Sequence, residues 1–283
     1  MMRISRITTL LLMVCSNCFA VELRVLTYNV HHAEGTDGKL DLDRIVEVIR
    51  AADADVVCLQ EVDQNLSRTE RMDMPALFRE KLDMAGVFGA NYHFDGGHYG
   101  NLTLSRYPIV FSENIALPNP FDKEPRGCLR IDIRISEGSD GDARTIVTVY
   151  NTHLGLNGEE RQQQAGHIVS LAPLTKHIIV AGDFNRGPAF MDSLAEKWRL
   201  HSTGTTAIPT RQANQLDYIL MSEPPREVEV MEAPVRSDHR VLLASLPGTN
   251  KYRHRATKGP MKEIWSWTDA EQLQVLLRPE WPQ

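Results

Sequence analysis

Three apolar runs constrain this chain most: Leu23, Val25 and Leu26; Val56-Val57-Cys58-Leu59; and Ile178-Ile179-Val180. Short runs with so little polar alternation suit strands buried on both faces. Each gives way at its C-terminal end to side chains with chemistry: Tyr28-Asn29, Gln60-Glu61 and Gly182-Asp183-Phe184-Asn185. Three more segments place similar residues at strand-like ends: Asn151-Thr152-His153, Leu216-Asp217-Tyr218 and Ser237-Asp238-His239. These polar groups fall where buried strands emerge at the surface. Carboxylates gathered in such places are expensive to bury without a partner, which points to a shared cation and one metal-assisted hydrolytic site.

Between the runs the periodicity switches. Glu22 to Val30 is strand-like. Leu42, Ile45, Ile49 and Ala52 then recur at helical spacing behind Asp41 as a cap, before the strand from Val56. Leu129, Ile131, Ile133 and Ile135 alternate strictly, and Thr145 to Tyr150 continues the pattern after the turn Gly138-Ser139-Asp140-Gly141, which predicts a hairpin. Asn157 and Glu160 stand in capping positions for a helix that places Ala165, Ile168, Val169 and Ala172 on one face. Strands at Tyr218–Met221 and Val241–Leu246 complete the series. This mixed order predicts two packed sheets with helices outside rather than a doubly wound parallel sheet.

The first twenty residues read differently. Arg3 and Arg6 precede the apolar stretch Ile7 to Val14, and Ala20 ends the segment with a small residue suited to signal peptidase. The stretch is far shorter than the roughly 20 residues that span a bilayer. A cleaved signal peptide over residues 1–20 is expected, with the mature chain secreted or periplasmic and without stable membrane insertion. Formal charge moves from -6 to -8 when the two arginines leave, so no global field recruits nucleic acid. Cys58 and Cys128 would remain; an oxidising compartment permits a disulfide between them, and two buried free thiols fit the sequence at least as well. The catalytic domain is expected over residues 21–247. Beyond it, residues 248–283 interleave basic residues with Tyr252, Trp265, Trp267 and Trp281. That extension is either an arm for an anionic substrate or a strap packed on the domain.

Residue chemistry sharpens the site. Glu61 is a hard oxygen ligand for a magnesium-like ion, and Asn29 could complete the neighbouring position. Asp183 and Asn185 are spaced to face one pocket, Asp183 as base toward water and Asn185 on a non-bridging oxygen. Asp217 is suited to hydrogen-bond the imidazole of His239 and favour its protonated form. Asp238 adds an acid, and His153 would act from the opposite wall. Adjacent His31 and His32 suggest a transition-metal site, but alternation along a strand would point them to opposite faces, so surface or loop histidines are expected, His31 at most bordering the pocket. Gln162-Gln163-Gln164 reads as the solvated face of a helix.

Taken together and in order, the segments Thr27-Tyr28-Asn29, Leu59-Gln60-Glu61, Asn151-Thr152-His153-Leu154, Gly182-Asp183-Phe184-Asn185, Leu216-Asp217-Tyr218-Ile219 and Ser237-Asp238-His239 resemble the endonuclease/exonuclease/phosphatase family of metal-dependent phosphoesterases over nearly all of Leu23 to Leu246. The resemblance implies a four-layer α/β sandwich, two mixed sheets packed face to face with helices outside and the site at one open edge. It implies Asn29, Glu61 and Asp238 at the metal, Asp183 orienting or deprotonating water, Asn185 on phosphate, and His239 with Asp217 as a charge-stabilising pair. His153 matches a histidine shared by deoxyribonuclease-like and sphingomyelinase-like members. Apurinic-site nucleases differ there, which with the leader argues against a dedicated DNA-repair role. His98, Tyr99 and Asn101 are expected to line the phosphate pocket, and Arg126 to contact a leaving group.

The expectation is therefore a monomeric phosphodiester hydrolase using Mg2+ or Mn2+, with nucleic acid as the preferred substrate. A lipid or inositol phosphoesterase of the sphingomyelinase type is the alternative, and no obvious apolar hairpin for docking on a bilayer stands out in the sequence. A third possibility is a binding module that kept the fold and lost the chemistry, against which the full set of site residues argues.

Overall fold

The computed structural model describes residues 22–135, 145–171, 177–206, 208–232 and 236–246. The leader, the turn at 138–141, Ala172 and the C-terminal extension lie outside the described residues. Twelve strands are described: β1 Leu23–Asn29, β2 Val56–Gln64, β3 Ala85–Phe94, β4 Gly97–Ser105, β5 Ile109–Ala116, β6 Gly127–Arg134, β7 Ile146–His153, β8 Ile178–Asp183, β9 His201–Ser202, β10 Asp217–Met221, β11 Glu227–Met231 and β12 Val241–Leu246. Four helices accompany them: α1 Leu42–Ala52, α2 Met74–Leu82, α3 Gly158–Leu171 and α4 Pro188–Trp198.

The strands form two six-stranded mixed sheets, ordered β11-β12-β1-β2-β4-β3 and β5-β6-β7-β8-β10-β9. Each has one parallel pair at its centre, β1 with β2 and β7 with β8, joined in sequence through α1 and α3 respectively. All other neighbours are antiparallel. The apolar runs follow from this: alternate residues of a central strand face different cores. Val25, Val56 and Cys58 meet Ile131, Val149, Ile179 and Ile219 between the sheets, whereas Leu26, Tyr28 and Leu59 pack under Ile45, Ile49 and Phe78. Tyr150, Val180 and Tyr218 do the same beneath Ile168, Met191 and Leu194 on the other side. Two faces buried per central strand leave no room for a polar alternation. Cys58 and Cys128 are both free and buried.

Local signals act as expected at two caps. The Asp41 carboxylate accepts from Arg44 N at 3.2 Å to start α1, and Asn157 Oδ1 accepts from Glu159 N at 2.9 Å to start α3. Glu160 does not cap; it is buried and accepts from Gln164 Nε2 at 3.0 Å. Gln164 itself corrects the reading of the glutamine run. Gln162 and Gln163 are solvated, but Gln164 is buried, donating to Pro118 O at 3.1 Å and accepting from Gly155 N at 2.8 Å.

The sheets are clasped by two asparagines that reach in opposite directions. Asn151 Nδ2, from β7, lies within 3.0 Å of the Leu59 and Leu102 carbonyls and 3.2 Å of Thr103 Oγ1 in the first sheet. Its Oδ1 accepts from Gln60 Nε2 at 2.7 Å. Asn101, from β4, returns the favour by donating to Gly127 O at 3.1 Å and Asn151 O at 3.3 Å in the second sheet. Buried amides need such partners, so these bonds fix how the two sheets sit on each other.

Candidate active site

The C-terminal ends of both parallel pairs open on one edge of the sandwich, the position favoured for ligands where strand carboxyl ends converge. Asn29 ends β1. Glu61 sits at a bulge in β2, where the pairing with β4 shifts register between Leu59 and Val62 and Glu61 takes a left-handed φ of 59°. A bulge re-aims a side chain, and here it turns Glu61 out of the alternation into the cleft. His153 and Asp183 end β7 and β8 side by side in register. Gly182 makes that approach possible: at its φ of 152° a Cβ would lie 1.9 Å from Thr152 O. Asn185 follows at φ 51°, a conformation asparagine tolerates, with its N–H donating to Asp183 Oδ1 at 2.9 Å. The Ser237-Asp238-His239 turn is tied to β1 because Ser237 Oγ donates to Asn29 O at 2.8 Å and accepts from His239 N at 3.2 Å.

Asp183 is the hub. Its Oδ2 lies 3.5 Å from His153 Nε2, 3.6 Å from His239 Nε2 and 3.2 Å from Asn29 Nδ2. Burial, reinforced by the Asp217 carboxylate, pushes its carboxyl up to about 7. On the far side of His239, Asp217 Oδ2 stands 2.8 Å from Nδ1. Burial alone would strip the His239 proton, but Asp217, with Asp183 and Asp238, outweighs it and raises the imidazole to about 9. His153 goes the other way: burial, then Arg126 and charged His239, hold it well below the usual imidazole range. Arg126 Nη1 donates to His153 Nδ1 at 3.0 Å, since a guanidinium only donates. At neutral pH the centre pairs a charged histidine with a neutral one across a carboxylate poised to exchange a proton.

The cleft has a volume of about 370 Å³ and takes in Glu61, His153, Asp183, Asn185, Asp238, His239, Tyr99 and Arg126 among the expected residues. Asn29 and Asp217 stand just behind it, holding Glu61 and His239. Asn29 Nδ2 donates to Glu61 Oε1 at 2.7 Å, while Asn29 Oδ1 accepts from His31 N at 3.0 Å. Two expectations are corrected. His98 faces away from the cleft with its ring 4.6 Å from that of His93, because strand alternation gives the cleft to its neighbour Tyr99. Asn101 is spent on clasping the sheets. Arg126 does line the cleft, yet it is also committed to Glu124 at 2.8 Å and to His153.

Several cleft residues escaped the sequence reading. Arg211 grips Asp238 Oδ2 with Nε at 2.9 Å and Nη2 at 2.6 Å, lowering the Asp238 carboxyl against the effect of burial. Arg68 is held by Asp63 through bonds of 2.7 and 2.6 Å, its guanidinium 5.6 Å from the Phe94 ring centre and 5.3 Å from that of Tyr99. Tyr92 stacks on Phe94 at 4.7 Å, and Leu156 is 74% exposed on the rim. Both His31 and His32 line the cleft, correcting their assignment to opposite strand faces, because the strand has ended and they form a short 3-10 turn.

Residues 26–239 match the Endonuclease/Exonuclease/phosphatase family. The chain belongs to that family. The family's members are divalent-metal-dependent phosphoesterases. The chain is 32% identical over 176 residues to the uncharacterized protein YbhP of Escherichia coli strain K12, covering 57% of this chain and 66% of YbhP. An endonuclease/exonuclease/phosphatase of known structure from Beutenbergia cavernae is 26% identical with a TM-score of 0.68, over 81% of this chain and 72% of that one. A family protein from Leptotrichia buccalis has a TM-score of 0.62 at 17% identity, over 81% of this chain and all of that one, a likeness of fold.

The donor set fits the family's divalent ion. Glu61 Oε1 is bonded to Asn29, and among the described residues Oε2 takes no hydrogen bond and is left for a cation. Asn29 Oδ1 keeps a second lone pair beside it. Four carboxylates, Glu61, Asp183, Asp217 and Asp238, crowd this edge, and such crowding is relieved by positive charge. No helix among the described residues is long and apolar enough to cross a membrane.

Proposed function

We propose that this chain is an exported, divalent-metal-dependent phosphodiesterase acting on nucleic acid by in-line attack of water on phosphorus. The observation that carries the reading is the buried Asp183 carboxylate set between the His153 and His239 imidazoles and joined to Glu61 through the Asn29 amide, which donates to both carboxylates. Glu61 with Asn29 would hold a divalent ion, which would supply positive charge to offset that of the phosphate. Asp183 accepts the proton of the attacking water as the new P–O bond forms, while the P–O bond opposite it breaks and the leaving oxygen takes a proton from solvent. His239, kept protonated by Asp217, donates to a phosphoryl oxygen as negative charge grows there. Asn185, whose Nδ2 lies 3.1 Å from His153 Nε2 and 2.9 Å from Leu154 O, is held where it can contact the same phosphate. Arg68, Arg126 and Arg211 line the cleft, each held in place by a carboxylate, and Tyr92 with Phe94 offers a stacking face suited to a base. Export is supported by Arg3, Arg6 and the short apolar stretch after them.

A lipid phosphoesterase is the second reading, favoured by Leu156 and by Phe121, the latter 40% exposed. Hydrolysis of single- and double-stranded DNA, RNA, a sphingolipid and inositol phosphates, with Mg2+ or Mn2+ and with chelator, separates the two. Metal-dependent cleavage of nucleic acid is expected. Turnover on lipid alone moves the substrate, and no turnover on any of these refutes the enzymatic reading. Glu61→Gln should raise the Mg2+ concentration needed for half-maximal rate, and an unchanged requirement would place the ion elsewhere.

A further inference from the structure

Beside Glu61, away from the Asp183–His239 centre, two imidazoles line the cleft without a part in the chemistry above. His31 and His32 occupy the 3-10 turn His31–Ala33, whose three residues all have left-handed φ, 44°, 41° and 62°. This turn brings both rings to one side, with their centres 4.4 Å apart. One ring nitrogen of each and a carboxylate oxygen of Glu61 lie within 4.8 Å of one another.

Glu34 decides which nitrogens are free. His31 Nδ1 is 3.0 Å from Glu34 O, and a carbonyl only accepts, so Nδ1 carries the proton and Nε2 of the neutral ring keeps its lone pair. His32 Nε2 faces the Glu34 carboxylate at 3.4 Å. Its Nδ1 is buried with no hydrogen-bond partner, on a residue only 9% exposed. One residue thus occupies one nitrogen of each ring, through its main chain for His31 and its side chain for His32. An oxygen partner of this kind fixes the tautomer and raises the basicity of metal-bound imidazoles. A buried imidazole nitrogen without a partner is otherwise costly to leave.

We infer that His31 and His32 join Glu61 in ligating a transition-metal ion, with zinc or manganese as the class and Glu34 as a positioning residue. This rests on the reading of Glu61 as a metal ligand and deepens it: two imidazoles and a carboxylate favour such ions over magnesium, which prefers oxygen.

The test is pulsed electron paramagnetic resonance on the full chain, stripped with chelator and reloaded with Mn2+, which reads nitrogen coupling from imidazoles bound to the ion. Two couplings are expected, one lost in His31→Ala and one in His32→Ala, each variant checked for a native circular dichroism spectrum. Glu34→Gln, at a half-exposed side chain, should weaken Zn2+ binding in a competition titration by roughly 10- to 100-fold without removing a ligand. The inference is overturned if Mn2+ fails to bind, binds with no imidazole coupling, or keeps both couplings in either alanine variant. It is equally overturned if Glu34→Gln leaves Zn2+ affinity unchanged. Phosphodiester turnover with Mg2+ in any of those cases leaves the proposed function standing, whereas nitrogen coupling without turnover on any phosphodiester refutes the function and keeps the site.

Discussion

Replacing Asn151 by Ala should loosen the sandwich by an amount the structure lets one work out. The side chain supplies two N–H donors to three acceptors in the opposite sheet, the Leu59 and Leu102 carbonyls at 3.0 Å and Thr103 Oγ1 at 3.2 Å, and accepts from Gln60 at 2.7 Å. Gln60 Nε2 has substitutes in Thr27 Oγ1 and Cys58 O, each at 3.1 Å, so its loss is partly absorbed. The two carbonyls lose a donor from a residue with no solvent exposure at all. At about 1–3 kcal/mol for each of the two buried carbonyls left unpaired, the change costs about 2–6 kcal/mol. That is a large share of the 5–15 kcal/mol typical of a folded domain. Urea unfolding of metal-free protein, extrapolated linearly, measures it, and an unchanged slope shows that the same surface is exposed in both proteins. Because Asn29 and Glu61 belong to one sheet and His153 and Asp183 to the other, turnover should fall with stability. A loss below about 1 kcal/mol in a natively folded variant would refute the idea that this amide clasps the sheets.

Other outcomes follow from the charge arrangement. Asp183 is raised to about 7 from an unfolded value near 3.9, so stability present below that value is lost as pH rises through 7. Asp183→Asn should therefore melt higher than the parent at pH 8 in chelator, with the gap closing toward pH 4, while turnover drops roughly 100- to 10,000-fold; a variant that melts lower at pH 8 would contradict this. His239 is raised to about 9, so its ion pair with Asp217 contributes fully below the unfolded value near 6.5 and is lost as pH rises through 9. Asp217→Asn should shift the alkaline limb of kcat to lower pH, and an unmoved limb would remove Asp217 from that role. Gly182→Ala should sharply reduce the yield of folded protein, because its Cβ meets Thr152 O, and normal yield and melting would argue against the close strand approach.

What could be read in the sequence was whatever the chain writes contiguously. Strand cores appear as apolar runs because both faces are buried, and the residues at their ends appear beside them, so Glu61, His153, Asp183 and His239 were legible. Arg211 and Arg68 were not: each is a single cation in a loop or short turn, brought to the cleft by folding and marked by no spacing. His31 and His32 were misplaced because strand alternation was carried one turn too far, past the point where the backbone becomes left-handed. His98 and Tyr99 show the limit of reading neighbours as a group, since regular alternation along β4 gives the cleft to Tyr99 and the opposite face to His98. Gln164 reads as surface in the sequence because burial of a glutamine depends on acceptors such as Pro118 O, 46 positions away.

β12 slots between β11 and β1, joining a late segment of the chain to an early one, and the Ser237-Asp238-His239 turn arrives with it. Until that late segment has been made, β1 has an open edge and Asp183 lacks its charged imidazole. The centre is therefore complete only at the close of folding: on the function proposed above, a chain still being made carries no finished site with which to attack a phosphodiester.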